Sequence, residues 1–185
     1  MTNDESNMNT ILRAGILSSL IPIGAFAGIY LYGNFLLLDY IHVLLGAIWT
    51  GVDVFYGLIF ISVLSTIDYE SKIHIAKRIL PMTLFFIPTT SILTPLAGYF
   101  LATSEGIFDI YSPIFTWVII IGSILVVLGF ATIFSTSIII YRSFRNGKID
   151  GKRISRLLII GSRGALGQLV LQVVIISLMA YLVVF

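Results

Sequence analysis

Cysteine is absent from the 185 residues, which excludes disulfides, thiolate metal sites and cysteine-ligated clusters and leaves the redox compartment unreadable. Charge is scarce: Asp, Glu, Lys and Arg together make up 11%, where soluble domains average about 25%. Phosphate-cradling loops are missing too. Neither GxGxxG nor GxxxxGKS/T occurs, and Asn146-Gly147 and Asp150-Gly151 read as turns. No HExxH and no Ser-His-Asp pattern supports soluble-type hydrolase chemistry, so nothing marks the chain as an autonomous enzyme. No polar stretch is long enough to fold separately, leaving a single membrane domain, residues 1–185.

What fills the chain is apolar. Hydrophobic residues reach 58% and the mean hydropathy is +1.04. The fold class is an all-α helical integral membrane bundle with about five transmembrane helices, at residues 11–32, 35–64, 80–102, 114–141 and 157–185. The first run follows an acidic start (Asp4, Glu5) and holds Ala25-Phe-Ala27, a weak cleavage-site likeness. It reads as a retained span rather than a signal peptide. It also contains Gly24-Ala-Phe-Ala-Gly28, a GxxxG that lets another helix approach closely. Between the second and third runs the polar segment 65–78 fits an interfacial helical turn entered from Asp68 as N-cap. In the third run Pro88 and Pro95 should kink the helix, and the face with Thr83, Thr90, Ser91, Thr94 and Gly98 should point into the bundle.

Lysine and arginine are missing from one end. Five spans put the N-terminus and the second and fourth loops on one side, with Arg13, Lys72, Lys77, Arg78, Arg142, Arg145, Lys148, Lys152, Arg153 and Arg156. The other side carries only Asp39, Glu105 and Asp109 as charges. The positive-inside rule gives N-terminus in and C-terminus out, in a multi-pass protein of the plasma membrane. The cation-rich fourth loop reads as an orientation signal in contact with the lipid bilayer, not as a nucleic-acid site.

The second span concentrates the unusual residues. At 100° per residue Asp39, His42, Gly46, Trp49, Thr50, Asp53, Tyr56, Gly57 and Phe60 share one face, opposite a face of Leu, Ile and Val. Such a face meets protein or water rather than lipid. Near the outer end, Asp39 and His42 are spaced i, i+3, so the carboxylate can orient the imidazole as it does for metal- or haem-ligating histidines. The pair reads as a cofactor or metal ligand, a proton-handling pair, or an interfacial histidine that merely satisfies a neighbour. Asp53 lies deeper, where an ionised carboxylate costs several kcal/mol unless paired. Arg163 is the intramembrane cation within reach, giving either an Asp53–Arg163 buried charge pair or an arginine that snorkels to the inner surface.

His42 and His74 belong to opposite ends, more than roughly 30 Å of helix apart, and cannot share a metal in one chain. Met179 matches His42 in depth and offers a second axial ligand for a haem b. The outer end supplies no cation for haem propionates, so such a cofactor leans on a partner: other membrane subunits or a homo-oligomer. Gln168 and Gln172, one turn apart and facing away from Arg163, read as polar glue between helices.

The spacing His42-x6-Trp49-x-Gly51, with Lys77-Arg78-Ile-Leu-Pro81, Pro88 and Gly98, resembles a helix pair in several small membrane families. These are the copper-resistance D domain, the membrane part of bacterial urate oxidases, the HemJ-type protoporphyrinogen oxidases and an uncharacterised relative of similar size. The likeness covers residues 39–102. It implies a haem- or metal-associated helical bundle with His42 as the ligand. The functional expectation is a membrane component tied to redox or electron-transfer chemistry, either binding haem b or sitting in a respiratory or other electron-transfer complex, with His42, Trp49 and Asp53 facing the cofactor or quinone. The alternatives are a non-catalytic accessory subunit of a membrane complex and a small transporter.

Overall fold

The computed structural model describes residues 3–184, and the side-chain surroundings of residues 9–181. The apolar runs become five helices: α1 (Asn3–Tyr32), α2 (Phe35–Thr66), α3 (Tyr69–Ser104), α4 (Pro113–Arg145) and α5 (Gly151–Val184). Each is long and apolar enough to cross a membrane, and no strand occurs among the described residues. Exposed Leu17, Ile21, Leu31, Leu36, Val127 and Val170 form the outward surface, as lipid contact requires. Tyr32, Tyr40, Tyr111 and Trp117 are exposed toward the cation-free end, where amphipathic rings suit a headgroup layer.

The polar segment after α2 is not a separate interfacial turn. Asp68 does act as N-cap, its carboxylate accepting from Ser71 N at 2.7 Å. The helix it starts then runs unbroken through Pro81 into the apolar part of α3. Ile73, Ala76 and Leu80 explain the continuity: their spacing prolongs the buried stripe of the span, with Ala76 and Leu80 fully covered. The basic segment after α4 is likewise mostly helix, leaving only residues 146–150 as the connection to α5.

Glycine closes three of these helices in the left-handed region, Gly33 (φ +69) ending α1 with a bond from its N–H to Tyr30 O at 3.3 Å. Gly106 (φ +70) and Gly147 (φ +64) each donate to the carbonyl three residues back. The next residue donates to the carbonyl five back, Ile107 to Ala102 and Lys148 to Ser143, which is a Schellman ending.

Three spans contain one widened π turn each, Phe55–Ile59, Met82–Phe86 and Phe130–Phe134. The N–H of Phe60 reaches back five residues to Phe55 O, and Ile87 and Ser135 do the same to Met82 and Phe130. In α2 the buried residues Leu45, Trp49, Asp53 and Gly57 recur every fourth position. A regular α-helix would let that stripe drift by about 40° per turn, and the π turn takes up the excess. In α3 the widened turn immediately precedes Pro88, whose missing N–H loosens the ladder at the same place. The helix continues through Pro95, with Thr90, Ser91 and Thr94 hydroxyls donating to carbonyls of the preceding turn. Thr83, Thr90 and Ser91 are buried, so this small polar face does point inward.

α5 runs between α2 and α4 and touches the first turns of α3. Gly57 makes this approach close: a Cβ there would stand 2.7 Å from the backbone nitrogen of Leu166. At the cation-rich end α2, α3, α4 and α5 share a core of Phe60, Leu64, Leu80, Ile140, Ile154 and Leu158. At the other end α1, α2 and α3 share Phe26, Leu38, Ile41, Leu45, Leu93 and Ala97. The unusual face of α2 looks into both.

Candidate functional site on the inner face of α2

The structure divides that face into two places. Near the cation-free end His42 is half-buried, and its Nδ1 lies 3.0 Å from the carbonyl oxygen of Thr94 on α3. A carbonyl only accepts, so Nδ1 donates, and in a neutral ring the lone pair then belongs to Nε2. Gly98, one turn beyond Thr94, makes the seat. A Cβ at Gly98 would stand 2.7 Å from Cε1, 3.1 Å from Nδ1 and 3.4 Å from Nε2 of the ring. The imidazole therefore meets α3 with its Nδ1–Cε1 edge, and Nε2 is the nitrogen turned furthest from it.

Asp39 does not orient this ring. It is exposed one turn above, while Nδ1 is taken by Thr94. A carboxylate at the rim keeps its water, and the space beside Gly98 draws the ring the other way. The backbone acceptor left no signal in the sequence, since any residue at position 94 supplies a carbonyl. The glycine four residues on was the visible half of the seat.

Deeper along α2, Asp53 is fully buried and accepts at Oδ2 from Gln172 Nε2 on α5, at 2.9 Å. Arg163 is not its partner: it lies exposed on the far side of α5. Nine residues separate Arg163 from Gln172, which at 100° per residue sets them 180° apart. Turning Gln172 to α2 therefore turns Arg163 away. Gln168, one turn before Gln172, donates from Nε2 to Leu125 O of α4 at 2.8 Å. The two glutamines are the interhelical polar contacts that their spacing suggests, and one of them solves the Asp53 problem that the arginine was expected to solve.

Trp49 sits between the two places, packed with Ile121 and Leu125 of α4 and with Leu171, Ile175 and Leu178 of α5. Met179 is half-buried on α5, next to Leu178, whereas the contacts of His42 lie on α3. His74 is exposed on the early turns of α3, at the cation-rich end. Trp49 Nε1, Asp53 Oδ1, Gln168 Oε1 and Gln172 Oε1 are buried without a hydrogen-bond partner among the described residues. That concentrates unspent polar capacity on the middle of the bundle. A space of about 10 Å³ beside Gln168, also lined by Thr83 and Ser91, is the size for one water.

No protein-family model, curated protein or solved structure matches this chain.

As a ligand to a metal centre, His42 has the right local chemistry: a ring fixed through Nδ1 by a backbone carbonyl, with Nε2 left over. Among the described residues no three His, Asp or Glu side chains group to hold a metal. The connections at the cation-free end, residues 33–34 and 105–112, contain no Lys or Arg for propionates.

Proposed function

We propose that the chain is a multi-pass component of the plasma membrane associated with redox chemistry. It presents His42 as one ligand to haem b or another metal centre that a partner chain completes. The observation that carries this reading is the 3.0 Å contact of His42 Nδ1 with Thr94 O, in the seat beside Gly98. Ligating histidines are held in this way, with the second nitrogen fixed so that the first keeps its direction. The resemblance of the His42–Gly51 segment to haem- and metal-associated membrane helices points to the same residue. When bound, such a group would supply one-electron transfer. The chain would contribute ring orientation through Thr94 and a dry flank through Trp49. With ten of the eleven Lys and Arg residues near the start of α1 or around the α2–α3 and α4–α5 connections, Arg163 on α5 being the other, the cation-rich end faces the cytoplasm.

The test is the absorption spectrum of the chain purified with its native partners. A Soret band that disappears in His42→Ala, and returns shifted in His42→Met, supports ligation. A colourless, folded protein that still co-purifies with other subunits in fixed ratio would sink it.

That outcome belongs to a second reading, a non-catalytic accessory subunit, and one observation favours it. Gly24 and Gly28 of α1 are exposed, and no atom of another helix lies where their Cβ would be. The close-approach motif therefore faces outward, where another chain would meet it.

A further inference from the structure

At the cation-rich end, the last turns of α4, residues 146–148 and the first turn of α5 line a solvent-open cavity of about 210 Å³, with Arg142, Asn146, Lys148 and Arg153 exposed at it. Its lining is Ile139, Arg142, Ser143, Asn146, Lys148 and Arg153, so three of its six residues are cationic and none is a carboxylate. The volume is many times what one water needs.

The local fold explains the convergence. Arg142 is in the last turn of α4, and Arg153 is in the first turn of α5. The Schellman ending at Gly147 folds the connection back, tying Lys148 N to Ser143 O at 3.0 Å. Three cations from three backbone segments are thus brought to one opening. Ser143 is buried, its hydroxyl donating to Ile139 O at 2.9 Å, and with Ile139 it makes the floor. Asp150 already occupies the start of α5, accepting from Lys152 N at 2.9 Å and Arg153 N at 3.2 Å. Side chains, not a free helix end, would therefore hold an anion here.

We propose that this cavity binds a phosphate group, with Arg142 and Arg153 as forked donors, Lys148 as a point charge and Asn146 as a neutral donor. Two guanidinium forks suit the oxygens of a phosphate, which is where arginine outperforms lysine. The phosphate is either the headgroup of an anionic lipid or a soluble phosphate. The site lies where a bilayer surface would meet the bundle, and basic pockets between spans hold headgroups in this position.

The test uses the full chain in a neutral detergent, titrated separately with phosphatidylglycerol, phosphatidylcholine and inorganic phosphate, and read by native mass spectrometry and calorimetry. Wild type should retain phosphatidylglycerol over phosphatidylcholine, identifying a lipid source, or bind inorganic phosphate equally well, identifying the bare anion. Combining Arg142→Gln, Lys148→Gln and Arg153→Gln should weaken retention about a hundredfold, at roughly fivefold per cation. A charge-matched control, Arg145→Gln with Lys152→Gln and Arg156→Gln, changes exposed cations that do not line the cavity and should stay within about threefold. Should the triple variant fail to insert, Arg142→Lys with Arg153→Lys keeps every charge and should still lose about tenfold. Equal losses in the lining variant and the control, wild-type affinity in the lysine pair, or no retention of either ligand by wild type would overturn the proposal.

Discussion

Gln172 of α5 reaches across to Asp53 of α2, Nε2 to Oδ2 at 2.9 Å, and in doing so fixes the rotation of α5. The same rotation exposes Arg163. Gln172→Leu should destabilise the bundle by about 1–2 kcal/mol, since it leaves a buried carboxylate without its donor. Arg163→Gln should change stability by less than about 0.5 kcal/mol. Thermal or denaturant unfolding in detergent, run as a double-mutant cycle with Asp53→Leu, measures both. A large coupling between Asp53 and Arg163 would contradict the geometry.

Gly98→Ala places a methyl 2.7 Å from Cε1 of His42. The ring must leave Thr94 or α2 must shift, at about 1–3 kcal/mol. In the His42→Ala background the same change should be close to neutral. Melting curves of the four proteins show whether the glycine is there for the imidazole.

The approach of α5 to α2 is set by backbone rather than by a movable side chain. Gly57→Ala puts its methyl 2.7 Å from Leu166 N and 2.9 Å from Leu166 Cα. Neither atom can swing aside, so a loss of about 2 kcal/mol or more is expected, and Gly57→Val should fail to fold. Gly51→Ala, where nothing lies within 4 Å, is the neutral comparison in the same unfolding assay.

Asp68 makes the start of α3 sensitive to acid. Its carboxyl is held below the ordinary 3.8, first by the hydrogen bonds from Ser71 and then by nearby Lys72. A group whose folded value is depressed stabilises the fold above its unfolded value, and that contribution disappears as pH falls through the folded value. The cap should therefore be intact at neutral pH and fade below about pH 4. Asp68→Asn should remove this part of the pH dependence while keeping a cap, and Asp68→Ala should lose the cap at every pH. Amide exchange over residues 69–75, measured at pH 7 and pH 3, reads the difference.

The spans were legible because lipid contact demands long apolar runs; α2 begins and ends close to where its run does, and α1 ends with its run but starts about two turns earlier, at Asn3. The extra turns of α3 and α5 were hidden by charge. Glu70, Lys72 and Arg156 look like loop residues, yet they favour helix and project from a stripe that stays apolar. The π turns have no composition of their own. Only the four-residue recurrence of Leu45, Trp49, Asp53 and Gly57 hints at the first. For the site, residue types were readable and partners were not. Asp53 announced a need, and the nine-residue offset between Arg163 and Gln172 meant that only one of them could meet it. The offset was in the sequence; which of the two faced α2 depended on how α5 packs.

The π turns carry a consequence for insertions and deletions. Each widened turn absorbs one extra residue without rotating the two halves of its span relative to each other, so the count can change by one there and not in the regular turns. Removing a residue within 55–59 would restore a regular helix and leave the half bearing His42 and Asp53 in phase with the half bearing Phe60 and Leu64, whereas removing one within the regular turns at 46–52 would swing His42 by about 100° relative to Asp53 and all that follows. No side chain at the site would have changed, yet His42 would point elsewhere. In this bundle the number of residues in the regular turns is itself a functional coordinate, one that substitution scans leave untouched.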